Sequence, residues 1–257
     1  MELYYKEFGA GKPLIILHGL FGSLENWRII SKELGCHFKV FAIDQRNHGR
    51  SPHSAEMNYM LMAEDINEFM IKNKINSATL LGHSMGGKTA MKFASLYPEK
   101  VDKLIVVDIL PRKNFDRQVK ELFAGLRLLK LTKVMTYKEA ETQMIPFIKD
   151  VRTRKYLLKN LGRNDKGFLD WQCNLGAILN NYKNICEKIP YFSFHKPCLF
   201  IRGACSNYVI DEEWQKIKKE YFDHAELVTI SGAGHFVHVD NPQDFLKIVV
   251  RFISNLN

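Results

Sequence analysis

Ser84 stands in the run LLGHSMGGKTAMKFA, residues 80–94, with Gly82 and Gly86 two positions to either side. That spacing fits G-x-S-x-G, a strand-to-helix turn that exposes a nucleophilic hydroxyl. Gly82 to Thr89 also fits G-x-x-x-x-G-K-[ST], a loop whose backbone cradles phosphates. In the first reading Ser84 attacks an acyl carbonyl. In the second, Lys88 and Thr89 serve a nucleotide and its metal, and Asp108, closing the apolar run LIVVD, supplies a Walker-B carboxylate.

Two further stretches favour the serine. HGLFG (18–22) places glycines directly after an apolar run, so that backbone N–H groups can face a cavity. With one donor from this loop and one from the residue after the nucleophile, the N–H groups of Leu20 and Met85 form an oxyanion hole. SGAGHFVH (231–238) sets His235 in a glycine-rich loop late in the chain, giving the order serine, acid, histidine. A phosphate loop leaves both stretches without a role. It also has to wrap around the side chains of His83, Ser84 and Met85. Gly82 and Gly86 carry no Cβ to collide at a strained turn, and Gly87 lets the helix pack on the sheet. Lys88 and Thr89 then become ordinary second-turn helix residues. The carboxylate that orients His235 has two candidate sources. One is Asp108, 24 residues beyond Ser84. The other is Asp211, the nearest acid after the later strand CLFIRG, where Ser206 and Asn207 hold the expected position but cannot be anions.

These groups need a scaffold. LIILHG (14–19), KVFAID (39–44), ATLLGH (78–83), KLIVVD (103–108), CLFIRG (198–203) and ELVTI (226–230) are short runs rich in Val, Ile and Leu. Runs of that kind suit a parallel sheet buried on both faces. Between them, 26–34, 60–73, 84–97, 211–220 and 243–255 carry helical patterns. The alternation predicts an α/β fold with a mostly parallel central sheet flanked by helices. LYYKEF (3–8) is expected to pair antiparallel at one edge. From Pro111 to Pro197 no strand is evident, while 119–130 and 137–148 read as helical. The expected division is a core of 1–110 and 197–257 with a helical cap inserted at 111–196.

The 257 residues are 46% hydrophobic and 25% charged, enough to bury a core without disulfide or metal staples. Residues 111–196 hold 18 Lys and Arg against eight Asp and Glu, so the whole +9 excess lies in that segment. The excess reads either as a solvated helical surface or as a field that draws anionic small molecules. No nucleic-acid-binding motif accompanies it. The five cysteines form no C-x-x-C pair and are odd in number, which fits reduced thiols in a cytoplasmic protein. No apolar run approaches the 18 residues of a transmembrane helix, and MELYYKEFGAGK lacks a signal-peptide pattern.

HGLFG, DQRNHGRS (44–51), GHSMGG, DILP (108–111) and GAGH together resemble the YbfF-type esterases of the α/β-hydrolase fold. The resemblance spans the chain, with 111–196 aligned by position only. It implies that Asp108 is the triad acid, beside Ser84 and His235. It further implies hydrolysis of carboxylic ester or thioester bonds of short to medium acyl chains, with no cofactor and no metal. The expected partner is a small acyl ester or thioester, including an anionic donor such as an acyl-CoA, acted on by a monomer or homodimer. C–C bond hydrolysis or lyase chemistry, perhydrolysis and ligand sensing are alternatives on the same fold. Phe21, Phe115, Phe123, Leu126 and Trp171 are candidate acyl-pocket residues. His18, His48, His53 and His83 are expected in structural roles.

Overall fold

A computed structural model describes residues 1–114 and 136–254, together with Phe123, Leu126, Leu129 and Leu131. Seven strands form one sheet: β1 (Tyr5–Phe8), β2 (Pro13–Leu17), β3 (Lys39–Ile43), β4 (Ala78–His83), β5 (Val101–Val107), β8 (Cys198–Gly203) and β9 (Ala225–Ile230). Their order is β1-β3-β2-β4-β5-β8-β9. β1 runs antiparallel to β3 at one edge, and the remaining pairs are parallel. The fold is therefore the α/β-hydrolase arrangement.

The alternation along each strand explains the two buried faces. Ile15 and Leu17 of β2 join a core with Leu80, Leu104 and Val106. Against that face pack α2 (Tyr59–Lys72) and α3 (Met85–Leu96), through residues such as Met62, Ile66 and Phe93. Leu14 and Ile16 face the opposite way, with Leu81, Ile105 and Val107. There α1 (Arg28–Leu34) contributes Ile30 and Leu34, and α10 (Pro242–Ser254) contributes Phe245, Val249 and Ile253. Side chains of period two on a strand covered by helices on both sides give the near-continuous apolar runs seen in the sequence.

Between β5 and β8 lie the short helices α4 (Tyr137–Met144), α5 (Val151–Leu158), α6 (Leu175–Asn180) and α7 (Tyr182–Cys186). Thr136 caps α4 by accepting from Glu139 N, and the helix stops two residues before Pro146. The pattern expected over 119–130 lies largely outside the described residues. One expectation is corrected here. This segment is not free of strands: β6 (Leu161–Arg163) and β7 (Leu169–Trp171) make an antiparallel hairpin. Three-residue strands carry too little alternation to register in a sequence, and the turn depends on Gly167 at φ 78°.

Three asparagines join the 174–184 edge of this segment to the loop between β3 and α2. Asn174 N donates to Asn47 O (2.8 Å), Asn181 Nδ2 to Ala55 O (2.7 Å) and Asn184 Nδ2 to Met57 O (3.3 Å). Among the described residues no helix is long and apolar enough to cross a membrane.

Candidate active site

Ser84 follows β4 directly and caps α3 with φ 52° and ψ −116°. A non-glycine residue at positive φ is uncommon and persists only where its surroundings fix it. Two approaches do so. A Cβ on Gly82 would lie 2.2 Å from Gly86 O, and one on Gly86 would lie 2.2 Å from Leu17 O. Only glycine fits at either position. Ser84 N donates to Val107 O (3.0 Å), which ties the turn to the end of β5. Met85 is the first residue of α3, so its N–H has no carbonyl four residues earlier inside the helix. The positive end of the α3 dipole lies at the same point. The nucleotide-loop reading fails on this geometry, because Gly86, Gly87 and Lys88 are helix body rather than a cradle.

Asp108 follows β5, also at positive φ (52°), and is fully buried. Its Oδ2 accepts from His235 Nδ1 at 2.8 Å and from the Ser206 hydroxyl, and its Oδ1 accepts from Gly203 N at 3.2 Å. With Nδ1 donating to the carboxylate, Nε2 of His235 is left as the ring acceptor. His235 lies between β9 and α9 (Val237–Asp240). Tyr208 stacks on its ring at 4.0 Å and 21°. His83, the neighbour of Ser84, donates from Nε2 to His235 O at 2.8 Å, and the two rings are 4.7 Å apart. Burial, reinforced by His235 and His238, holds the His83 pKa well below the usual imidazole value, so His83 stays neutral. Asp211 lies elsewhere. It opens α8 (Asp211–Tyr221), its side chain is 73% exposed, and it pairs with Arg202 Nη2 at 2.7 Å.

The HGLFG loop is held by two buried histidines of fixed tautomer. His18 Nδ1 donates to Gly19 O (2.8 Å) while Nε2 accepts from Gln45 N (3.0 Å). His48 Nδ1 donates to Arg46 O (2.9 Å) while Nε2 accepts from Phe21 N (3.2 Å). Burial depresses both rings, His48 to about 4. From the opposite side Tyr156 donates to Gly19 O (3.3 Å), and the Asn160 amide donates to Phe21 O.

A cavity of about 60 Å³ opens beside Ser84. Leu20, Met85, Tyr59, Lys88, Cys186 and Tyr208 are among the residues that line it. The expected acyl-pocket residues do not border this cavity. Phe21 and Phe123 are buried edge-to-face at 5.4 Å, Leu126 is buried in the core and Trp171 sits on β7. They pack the segment onto the core instead. Phe115 lies outside the described residues. Lys88, a helix residue of α3 as expected, is 1% exposed. Its position four residues after Ser84, on a helix covered by apolar neighbours, is the signal that points it inward. Ser206 and Tyr208 carried no such local signal. Among the described residues, no three His, Cys, Asp or Glu side chains converge to hold a metal ion.

Residues 12–242 match the family described as alpha/beta hydrolase fold. The chain is 33% identical to esterase YbfF of Escherichia coli over 95% of this chain and 93% of that protein. It is 35% identical to the sn-1-specific diacylglycerol lipase ABHD11 of Xenopus tropicalis, over 98% and 81% respectively. A solved structure titled marine microorganism esterase superposes with a TM-score of 0.94 at 44% identity, covering 98% of this chain and 99% of that one. The chain belongs to the alpha/beta hydrolase fold family and is a hydrolase of the esterase and lipase kind.

Proposed function

We propose that the chain hydrolyses carboxylic ester or thioester bonds of short acyl groups through Ser84, His235 and Asp108. The observations that support this reading are the 2.8 Å contact from His235 Nδ1 to buried Asp108 and the positive φ of Ser84 at a helix N-terminus. Ser84 Oγ attacks the acyl carbonyl, and His235 Nε2 takes its proton and returns it to the leaving alcohol or thiol. Asp108 fixes the imidazole tautomer. The N–H groups of Leu20 and Met85 hold the oxyanion. Water then repeats the sequence on the acyl-enzyme and frees the acid.

A short acyl group fits the cavity of about 60 Å³ beside Ser84. Asn114, Tyr182, Ile185 and Cys186 of the proposed cap segment border it, and the excess of Lys and Arg in the sequence 111–196 suits an anionic donor such as an acyl-CoA. The proposed setting is the cytoplasm. The test is labelling with a fluorophosphonate followed by peptide mapping, together with turnover of a short-chain nitrophenyl ester. Label on Ser84, abolished in Ser84→Ala along with turnover, is the expected result. Label elsewhere, or undiminished turnover in the variant, overturns the assignment.

A further inference from the structure

His83 is buried between three parts of the site, and the hydrolysis described above gives it no task. It closes β4 and directly precedes Ser84. A Cβ on Gly19 would lie 2.8 Å from its Nδ1, so the ring packs against the HGLFG loop. Its Nε2 donates to the backbone O of His235 at 2.8 Å. In the sheet, β5 and β8 stand between β4 and β9, so the segments carrying Ser84 and His235 do not pair directly. Among the described residues the His83 bond is the one hydrogen bond between the Ser84 turn and the loop 231–236. It closes a ring. Ser84 N donates to Val107 O at 3.0 Å, and the next residue, Asp108, accepts from His235 Nδ1 at 2.8 Å. His83 then leads from the His235 carbonyl back to the serine turn. Just upstream, Gly234 N donates to Asp240 Oδ2 at 2.8 Å, and Ala233 O accepts from Cys205 N at 2.9 Å. At His235 itself, the bonds to His83 and Asp108 are the two that hold it among the described residues.

An imidazole is costly at this position. Burial, with His235 and His238 close by, keeps it neutral, and Nδ1 has no partner among the described residues. A buried acceptor of that kind is destabilising, and an apolar ring of the same shape avoids the cost. His238 backs the ring at 5.1 Å and supplies packing rather than a hydrogen bond. What an apolar ring lacks is the Nε2 donor. We propose that His83 is a positioning residue for the general base: its Nε2–H fixes the His235 backbone and so sets where the imidazole stands relative to the Ser84 hydroxyl. The inference rests on the Ser84, His235 and Asp108 reading above. His83 exchanges no proton with substrate and is not among the residues lining the cavity beside Ser84. A misplacement of about 1 Å at reacting groups costs on the order of 100-fold in rate. His235 serves both acylation and deacylation, so the loss falls on kcat and leaves KM in place.

The test uses His83→Gln, His83→Asn and His83→Leu on a short nitrophenyl ester. The glutamine amide nitrogen reaches the place of the imidazole Nε2, whereas the asparagine amide falls one methylene short. His83→Leu and His83→Asn are expected to lose roughly 10–100-fold in kcat with KM within about twofold. His83→Gln should recover all but about threefold. Equal losses in the Gln and Asn variants, a loss carried by KM, or wild-type kcat in His83→Asn overturns the proposal. One measurement needs no variant. Assigned nitrogen-15 spectra of the wild-type enzyme should show His83 as the neutral Nε2–H tautomer between about pH 6.5 and 8. The Nδ1–H tautomer overturns the proposal even where a variant fails to fold. Fluorophosphonate labelling separates this role from the reading beneath it. Wild-type enzyme labelled on Ser84, with full activity in His83→Asn, refutes the role of His83 alone. Unlabelled, inactive wild-type enzyme refutes the serine mechanism.

Discussion

Ser206 donates its hydroxyl to the same Oδ2 of Asp108 that accepts from His235 Nδ1. Ser206 occupies the post-β8 position at which an acid was sought from the sequence. Here it steadies an acid contributed by β5 instead. Removing the hydroxyl leaves the carboxylate held by Gly203 N and His235 alone. Ser206→Ala is expected to lower kcat by roughly 3–30-fold, with KM within twofold, because the loss falls on orientation of the imidazole. Initial rates on a short nitrophenyl ester give both constants. A rise in KM at unchanged kcat would place Ser206 in substrate binding instead.

The separation of Asp108 from Asp211 makes a sharper comparison. Asp108→Asn should cost about 10⁴ in kcat, since an amide favours the wrong imidazole tautomer. Asp211→Asn breaks only an exposed ion pair with Arg202 and should leave kcat within about twofold. Single-turnover and steady-state kinetics of both variants decide the matter. The opposite ranking would reassign the acid.

Buried histidines set the acid limit of the fold. His48 is pushed down to about 4 and His238 to about 3, and burial also holds His18 and His83 well below 6.5. Each folded value lies below the unfolded one, so the unfolded chain binds more protons as pH falls from 6.5. Stability is therefore lost across that window and levels off only near the folded values. Asp44, raised to about 6 by burial, runs the other way, but it is a single group. The urea midpoint should fall steadily between pH 6.5 and 4. His238 stacks on Trp27 at 3.9 Å with neither ring nitrogen partnered. His238→Phe should make that fall shallower; an unchanged slope would remove His238 from the account.

The parallel sheet was legible because its strands are short apolar runs, mostly closed by Gly, Asp or His, as in ATLLGH. The turn at Ser84 was legible because Gly82 and Gly86 are sterically obligatory. The carbonyl partners of Lys88, Cys186 O and Glu187 O, lie about a hundred residues away and leave no local trace in the sequence. The acyl-pocket residues could not be singled out from the pattern alone. An aromatic at helical spacing faces something apolar, but local pattern does not say whether that is a ligand or the core. Phe21 and Phe123 face each other. The β6–β7 hairpin escaped notice because its strands are shorter than one full alternation.

The 174–184 segment is sewn down by uncharged amides of Asn174, Asn181 and Asn184. Dipole contacts of this kind are indifferent to the ionic atmosphere, while attraction to the basic exterior is damped by it. Potassium chloride should therefore slow capture of a charged donor without loosening that seam, which makes ionic strength a clean lever for telling encounter apart from closure.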